Sequence, residues 1–287
     1  MGLRGELRVE RWTSVEAYLA NAGAFLEARE AEHNLIFGIS SQVQADPAQY
    51  ASAPYLAAVF DGSRIVGAAL RTPPWRLVLS VMDHPSAADA LAADLAGEAL
   101  PGAVGPAEST ATFAAAWQAR TGATPRLSRH ERSYRLRSVV PPKPAPGFMV
   151  RAQSEHREVL AAWYQAFEEE ANAAGPGPTD YFAGADRWLR GLGRTPYLWI
   201  DDGRPVSLAG AGGMTPHGIR VGPVYTPPEL RGRGYASNLV AGVSQLQLDA
   251  GRTFLFLFTD LANPTANHIY QAIGYEPVID IDEYAFD

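Results

Sequence analysis

The sequence predicts an α/β protein of two domains, each with a mixed, largely antiparallel sheet flanked by helices. Three observations predict this architecture. Apolar runs of strand length alternate with amphipathic stretches of helix length along the chain. The segment 141–147, PPKPAPG, is rich in proline and favours an extended connector over a helix or a central strand. The two parts that it separates, 1–140 and 148–287, each have the ordinary size of a domain.

The N-terminal half alternates strands and helices. Asp61 and Gly62 form a turn between two of its strands. The predicted elements are strand Leu7–Trp12, a long helical stretch Val15–Ser40, strands Tyr55–Asp61, Arg64–Leu70 and Arg76–Met82, helices Ala87–Leu95 and Thr110–Arg120, and strand Glu131–Leu136.

The C-terminal half has the order helix, helix, three strands, helix, strand, helix, strand after its first strand. Ser154 caps the first helix, and Asp202–Gly203 forms a hairpin turn. The glycines and prolines of 175–178 break the chain after the first helix. The predicted elements are strand Phe148–Arg151, helices Glu155–Ala173 and Tyr181–Leu192, strands Tyr197–Asp201, Pro205–Met214 and Ile219–Tyr225, a helix after 236, strand Thr253–Phe258, helix Asn263–Ile273 and strand Glu276–Tyr284.

Composition limits the classes of function. The 287 residues are 47% hydrophobic and 19% charged, which is typical of a globular protein with a sizeable core. A net charge of -7 argues against general binding of nucleic acid or anionic membranes. The absence of cysteine excludes thiolate catalysis, disulfides and cysteine-type zinc sites. The N-terminus lacks the apolar segment of a signal peptide, so we expect a soluble, cytoplasmic protein.

The most informative stretch follows the strand Ile219–Tyr225, which Pro227 and Pro228 stop. Residues 231–236 read Arg-Gly-Arg-Gly-Tyr-Ala and precede an amphipathic helix. Glycine lets the backbone approach a ligand closely, and the N–H groups of a first helical turn favour an anion. The pattern predicts a site for a diphosphate-bearing ligand. The alternative is a solvated basic turn. The spacing matches neither GxxxxGK[ST] nor GxGxxG.

This stretch resembles the acyl-coenzyme A signature of the GCN5-related N-acetyltransferase (GNAT) superfamily, Arg/Gln-x-x-Gly-x-Gly/Ala, through Arg231, Gly234 and Ala236. A second stretch, from Asn263 to Tyr275, is similar to the C-terminal motif of that superfamily. The two motifs stand in the family's order and cover about the last third of the chain. The N-terminal half looks like a degenerate copy of the same fold, with Asp-His-Pro-Ser at 83–86 instead of the signature.

The resemblance implies an acetyl-coenzyme A-dependent N-acetyltransferase in which a primary amine attacks directly, with acetyl-coenzyme A as co-substrate and no metal. It implies Tyr270 as general acid, since a phenol with a pKa near 10 is protonated at neutral pH. A packed helix tyrosine is the alternative, and Asn263 caps the helix in either case. The implied coenzyme-binding residues are Val224, Tyr225, Thr226, Arg231, Gly232, Arg233, Gly234, Tyr235, Ala236, Asn263 and Tyr270.

The general base is the least defined role. Glu170 lies on the helix face that carries Trp163 and Phe167, where a carboxylate is costly unless it is paired or used. It is therefore the candidate base, with a salt bridge as the alternative. Glu168 and Glu169 are expected on the solvent side. Asp260 is a second candidate, or else a turn residue.

The acceptor amine cannot be identified from the sequence, and a small molecule or a peptide both fit. The acidic residues Asp280, Asp282 and Glu283 favour a cationic acceptor or are simply solvated. We expect no nucleic-acid or membrane partner, and the oligomeric state stays open. Two other functions remain: a coenzyme A-binding module without turnover, and a twin-domain acyl or aminoacyl transferase. The six histidines have no metal-site spacing.

Overall fold

The computed structural model describes residues 7–171, 177 and 179–287. The chain divides into two compact units. Unit 1 contains the chain up to Ser133 together with 260–262 and 278–287. Unit 2 contains 134–259 and 263–277.

The described part of the chain has strands and helices at the following bounds. The strands are β1 Arg8–Arg11, β2 Tyr55–Asp61, β3 Arg64–Arg71, β4 Leu77–Leu79, β5 Gly102–Pro106, β6 Pro125–Leu136, β7 Phe148–Arg151, β8 Arg194–Asp201, β9 Arg204–Gly212, β10 Gly218–Tyr225, β11 Phe254–Asp260 and β12 Glu276–Phe286. The helices are α1 Val15–Glu27, α2 Asn34–Ala45, α3 Ser86–Asp94, α4 Ala107–Thr121, α5 Arg157–Glu170, α6 Tyr181–Leu189, α7 Tyr235–Asp249 and α8 Pro264–Ala272.

The same order of elements occurs twice along the chain. β1 to β6 with α1 to α4 follow the order β-α-α-β-β-β-α-β-α-β, and β7 to β12 with α5 to α8 repeat it. In unit 1 the first four strands pair antiparallel, and β4 pairs with β5 in parallel. In unit 2 the strands β7 to β10 pair antiparallel, and β10 pairs with β11 in parallel. The predicted α/β fold, with mixed, largely antiparallel strand pairing in each unit, is confirmed.

Unit 1 differs most from its prediction in two elements, beside β6, which begins at Pro125 and not at Glu131, and β4, which is shortened to Leu77–Leu79. The helical stretch 15–40 is two helices, because the chain turns at 28–33 and the ring of His33 points inward. Its Nδ1 lies 2.9 Å from the Leu26 carbonyl oxygen, and its Nε2 accepts the Val81 N–H at 3.0 Å. Strand β5 was not predicted from the sequence, because its five residues begin with glycine and end with proline.

Unit 2 follows its prediction closely. Its sheet packs α5 and α6 on one face, where Leu198 and Leu208 join their core, and α7 on the other face. The hairpin at Asp202–Gly203 is confirmed, with both residues at positive φ, 47° and 69°. Helix α5 ends at Glu170. The predicted helix end and chain break at Ala173, Gly175, Pro176 and Pro178 lie outside the described residues.

The compact units do not coincide with the predicted halves 1–140 and 148–287. Residues 278–287 belong to unit 1 because β12 pairs with β5 from Ile281 to Ala285. The proline-rich connector belongs to unit 2 because it is fixed there. Its Lys143 carbonyl accepts from Asn238 Nδ2 at 3.0 Å, and its Pro146 carbonyl accepts from Trp199 Nε1 at 2.7 Å.

None of the helices in the described ranges has the length and apolar character that a membrane crossing requires.

Candidate acyl-transfer site

Strands β10 and β11 of unit 2 are paired only at their beginning. The pairing joins Gly218, Ile219 and Arg220 to 254–256, and it stops there. From Val221 onward β10 keeps only its other neighbour, β9, in the described part of the chain. The remaining edge of β10 therefore faces a fork between two strands. A backbone edge of this kind can pair with an extended ligand.

A bulge lies on β10 inside this fork. Val221 pairs with Ala211 and Val224 with Ala209, so the register shifts across Gly222 and Pro223. Val224 is partly buried against the core under α7, and Tyr225 packs on the opposite face against α5. Val221 and Val224, three residues apart, thus both face the core under α7, whereas regular alternation would put them on opposite faces.

The turn after β10 presents a row of backbone donors. In the described chain, the N–H groups of residues 232–237 donate to no protein acceptor, and the first helical bond runs from the Asn238 N–H to the Gly234 carbonyl at 3.1 Å. Gly232 and Gly234 both have positive φ, 77° and 83°. A Cβ on Gly232 would meet no protein atom within 4 Å. The backbone of 231–236 thus has both the donors and the space for a diphosphate.

The side chains of this turn are fixed from outside it. Arg231 Nε donates to the Thr226 carbonyl at 2.8 Å, and its Nη2 lies 2.6 Å from Glu170 Oε2. Both side chains of this ion pair are about half exposed. Arg233 is exposed, and its Nη2 donates to the Glu229 carbonyl at 3.3 Å. The guanidinium of Arg231 is held at the turn by a carboxylate from helix α5.

Glu170 therefore forms an ion pair with Arg231 of the turn 231–236, where the anion site is predicted. Its Oε1 is 3.5 Å from the Tyr225 hydroxyl, and the Tyr225 ring lies 6.1 Å from that of Trp163. The predicted shared face of Glu170 and Trp163 is thus present. A carboxylate bound to guanidinium is stabilised as an anion and is a weakened base. The role of Glu170 as base stays a prediction.

The expectation for Glu168 was wrong. Its side chain is buried, with a residue exposure of 7%. It accepts a hydrogen bond from the Tyr181 hydroxyl at 3.1 Å. Burial, followed by a hydrogen bond to Glu168, raises the pKa of Tyr164. Glu168 is buried because α6 packs on that side of α5, a contact that a helix pattern does not specify.

Tyr270 lies on α8 and is partly buried against the core of unit 2. Its ring meets the Tyr275 ring edge-on, with centroids 6.1 Å apart. Its hydroxyl makes no hydrogen bond to the residues that the structure describes. Burial raises the pKa of Tyr270 to about 12, so the phenol keeps its proton at neutral pH. The side chain packs against the core, as the alternative predicted, and its hydroxyl is still available as a donor.

Two other predicted residues have structural contacts. Asn263 caps α8, as predicted, since its Oδ1 accepts the Ala266 N–H at 3.0 Å. Tyr235 is buried, and its hydroxyl donates to Asp201 Oδ2 at 2.5 Å. Only the backbone of Tyr235 therefore faces the anion-binding turn, as does that of Ala236. Thr226 Oγ1 lies 2.8 Å from the Ser207 hydroxyl oxygen.

Several acidic candidates belong to unit 1 and are engaged there. Asp260 Oδ1 accepts the Ala262 N–H at 2.7 Å, as expected of a turn residue. Asp280 binds Arg132, Asp282 lies 2.5 Å from His130, and Glu283 Oε1 accepts from the Ser128 hydroxyl at 3.1 Å. These pairs account for the acidic tail, which thus gives no support to a cationic acceptor.

Sequence reasoning missed a pair of arginines, Arg194 and Arg220, on the sheet of unit 2. Arg194 begins β8, and Arg220 lies early in β10. Arginine is usually solvated at such positions. Their common register partner is Gly212, which places them on one face. Only strand register brings them together, so no pattern in the sequence indicates the pair. Within the described residues, no group of three His, Asp or Glu side chains is placed to hold a metal ion.

The geometry defines a class: an α/β domain with a strand fork beside an anion-binding helix N-terminus. Residues 158–275 match the model of the acetyltransferase (GNAT) family, and the match includes both predicted motifs. The match over this part of the chain supports acyl transfer in general. No curated protein matches the sequence.

Solved structures extend the likeness to the whole chain. A Drosophila protein matches with TM-score 0.68 and 14% identity, covering 97% of each chain. A GNAT-family acetyltransferase from Colwellia psychrerythraea matches at 0.58 and 10%, covering 98% of this chain and 100% of its own. A tandem GNAT protein from the clavulanic acid biosynthesis pathway matches at 0.56 and 15%, covering 98% of each. At such identities these likenesses establish the fold, which is a tandem of two GNAT folds.

Proposed function

We propose that the chain is an acetyl-coenzyme A-dependent N-acetyltransferase acting on a primary amine of a small molecule or peptide. One observation carries the proposal: the β10–β11 fork opens beside six consecutive backbone N–H groups, at 232–237, that have no protein acceptor in the described chain. The family match over 158–275 supports it. A cytoplasmic location remains an expectation from composition.

The residues present fit the coenzyme. The N–H groups of 232–237 would hold the diphosphate, with Arg231 and Arg233 adding positive charge at the turn. The backbone of Val224, Tyr225 and Thr226 lies along the fork and would pair with the extended pantetheine arm like an added strand. Acetyl-coenzyme A supplies an acetyl group activated as a thioester.

The chain's own groups then have three tasks. The turn and the β10 edge hold the donor so that proximity lowers the barrier. A backbone N–H at the bulge would face the acyl oxygen and stabilise its developing charge. The amine nitrogen would bond to the acyl carbon as the carbon–sulfur bond breaks, and the proton that the amine loses would pass through water to the thiolate. The Tyr270 hydroxyl would donate a hydrogen bond toward the departing sulfur. With a pKa of about 12, Tyr270 is too weak an acid to protonate a thiolate fully, so we assign it hydrogen-bond stabilisation. No metal takes part in this scheme.

Calorimetric titration of acetyl-coenzyme A into the full chain tests the proposal first. We expect saturable binding of one equivalent per chain, followed by release of free thiol when amines are added. Two equivalents would mean that unit 1 also binds the coenzyme. Binding without turnover on any amine would favour a regulatory module, and no binding would reject the function.

A further inference from the structure

Arg194 of β8 and Arg220 of β10 lie in register on either side of β9 in unit 2. Gly212 of β9 pairs with Arg194 on one side and with Arg220 on the other. Directly opposed residues in a sheet point to the same face. Leu198 and Leu208, which pair with each other, pack under α5 and α6, and the pair Arg194 and Gly212 follows with the same alternation. Both arginines therefore stand on the face that α5 and α6 cover.

Glycines form the floor beneath Arg194. A Cβ on Gly210 would lie 2.5 Å from Arg194 Cδ and 2.9 Å from the Gly222 carbonyl oxygen. The aliphatic part of Arg194 thus runs over Gly210, next to the bulge of β10. The Cδ atom that carries the guanidinium group therefore lies close to the strand segment where the proposed function puts the acyl group. Any side chain at position 210 would displace it.

Aromatic rings form the wall above Arg194. The guanidinium carbon lies 5.6 Å from the centre of the Trp188 ring, which is itself 4.6 Å from the Tyr164 ring. Stacking of this kind holds the guanidinium plane and leaves its in-plane N–H groups available. Those N–H groups can donate two parallel hydrogen bonds to the two oxygens of a carboxylate.

Among the described residues, the Arg194 guanidinium has no counter-ion and makes no hydrogen bond. Burial and the neighbouring charge of Arg220 lower its pKa, and Tyr164 opposes them only in part. The nearby carboxylate of Glu168 is engaged with Tyr181 and Tyr164. A partly buried cation without a carboxylate is costly unless a ligand supplies one.

We propose that Arg194, with Arg220 beside it, binds a carboxylate on the acceptor, so that the preferred substrate is a small amine that also carries a carboxylate group. This inference rests on the proposed acetyl transfer and specifies its acceptor. The carboxylate would lie on the α5–α6 face near Gly210, with the amine toward the bulge. This acceptor carries a negative charge, in contrast to the cationic acceptor that Asp280, Asp282 and Glu283 favoured in the sequence.

The test compares matched amines on the full chain with acetyl-coenzyme A. The standard amino acids are assayed against their carboxamides, with spermidine as a cationic amine, by thiol release and mass of the product. We expect kcat/KM for the best amino acid to exceed that of its carboxamide by about 10-fold or more, as for a hydrogen bond to a charged group.

Arg194→Met retains the stem over Gly210 and removes the charge. We expect it to lower kcat/KM for the amino acid by about 10- to 100-fold and to leave the carboxamide nearly unchanged. Arg194→Lys keeps the charge but lacks the paired N–H donors of a guanidinium, so its kcat/KM for the amino acid should lie between those of the unchanged chain and Arg194→Met. Arg204→Met, at an exposed arginine of β9, removes the same charge elsewhere and should have no effect. Coenzyme affinity should be unaltered in all three variants. The same measurement checks that each variant is folded.

The outcomes separate the two proposals. Equal use of amino acids and carboxamides, a preference for spermidine, or an Arg194→Met variant that retains its preference would overturn the carboxylate site and leave acetyl transfer standing. Coenzyme binding with no turnover on any amine would instead reject the transferase itself.

Discussion

The two units carry the same order of elements, and in each the fourth strand pairs in parallel with the fifth only briefly. In unit 1 the pairing joins Leu77 and Val78 to Ala103 and Val104. In unit 2 it joins 218–220 to 254–256. Beyond these residues, each fourth strand enters a fork. The two forks differ in what satisfies the backbone there.

The fork of unit 1 is filled by groups of that unit. The Val81 N–H donates to His33 Nε2 and the Met82 N–H to Ser109 Oγ, both at 3.0 Å. At the start of α3, the Ser86 N–H donates to His84 Nδ1 at 3.1 Å, and Pro85 has no N–H to offer. The cavity that remains is about 300 Å³, and its lining includes Asp83, Glu108 and Asp280.

The fork of unit 2 retains unused donors and glycines instead. The N–H groups of 232–237 have no acceptor in the described part of the chain. Arg231 and Arg233 lie at this turn, whereas acidic residues line the cavity of unit 1. The comparison teaches that the same strand fork can have its backbone donors satisfied in two ways. Protein side chains of unit 1 accept from the donors there, whereas the donors of unit 2 have no protein acceptor in the described residues and are free for the proposed anion.

The largest expected effect comes from Gly232→Val. The new side chain would enter the space that the diphosphate needs, and we expect coenzyme affinity to fall by about 100-fold or more because several charge-assisted bonds are lost together. Gly203→Val is the matched control, since Gly203 also has positive φ and open space around its Cβ position. Titration calorimetry measures both. Strong residual binding in Gly232→Val would mean that the fork of unit 1 takes the coenzyme after all.

Tyr270→Phe tests the chemistry of the fork of unit 2. We expect kcat to fall by about 100-fold, as for loss of a positioned proton or hydrogen-bond donor, with unchanged coenzyme affinity. Because the pKa of Tyr270 is raised to about 12, its ionisation should cause no loss of activity up to pH 10. Tyr134→Phe is the control: its hydroxyl bonds Asn267 and Gln271, so stability should fall while kcat holds. Equal kcat in Tyr270→Phe would make that residue structural.

The local motifs could be predicted from the sequence, and the contacts between distant segments could not. The strand into the fork, the glycine turn and Asn263 as helix cap are each set by a few consecutive residues. The break at 28–33 depends on His33 reaching Val81, 48 residues away. Arg194 and Arg220 become neighbours only through strand register, and Glu168 is buried only because α6 packs there. The proposed acceptor side of the site is built from such contacts.

His33→Ala tests whether unit 1 depends on its filled fork. We expect a loss of about 1–3 kcal/mol in the free energy of unfolding, because the buried Val81 N–H would lose its acceptor. Burial lowers the pKa of His33, so the unfolded chain binds its proton more tightly. Stability contributed by neutral His33 should therefore be full above about pH 6.5 and decline as pH falls below it. His268→Ala, at an exposed histidine, is the control in urea titrations across pH. An unchanged pH dependence in His33→Ala would contradict the assignment.

The smallest effect is expected from Glu170→Gln, which asks how the anion-binding turn of unit 2 is held. If Glu170 orients Arg231, its loss should weaken coenzyme binding by about 5-fold, in keeping with a half-exposed ion pair, and leave the pH profile of kcat unchanged. If Glu170 is the general base, kcat itself should fall and the acidic limb of its profile should disappear. Glu169→Gln, one residue earlier on α5 and bonded to Gln165, serves as the matched control. The geometry favours the first outcome, because the Glu170 carboxylate oxygen nearest to Arg231 is 2.6 Å from its guanidinium.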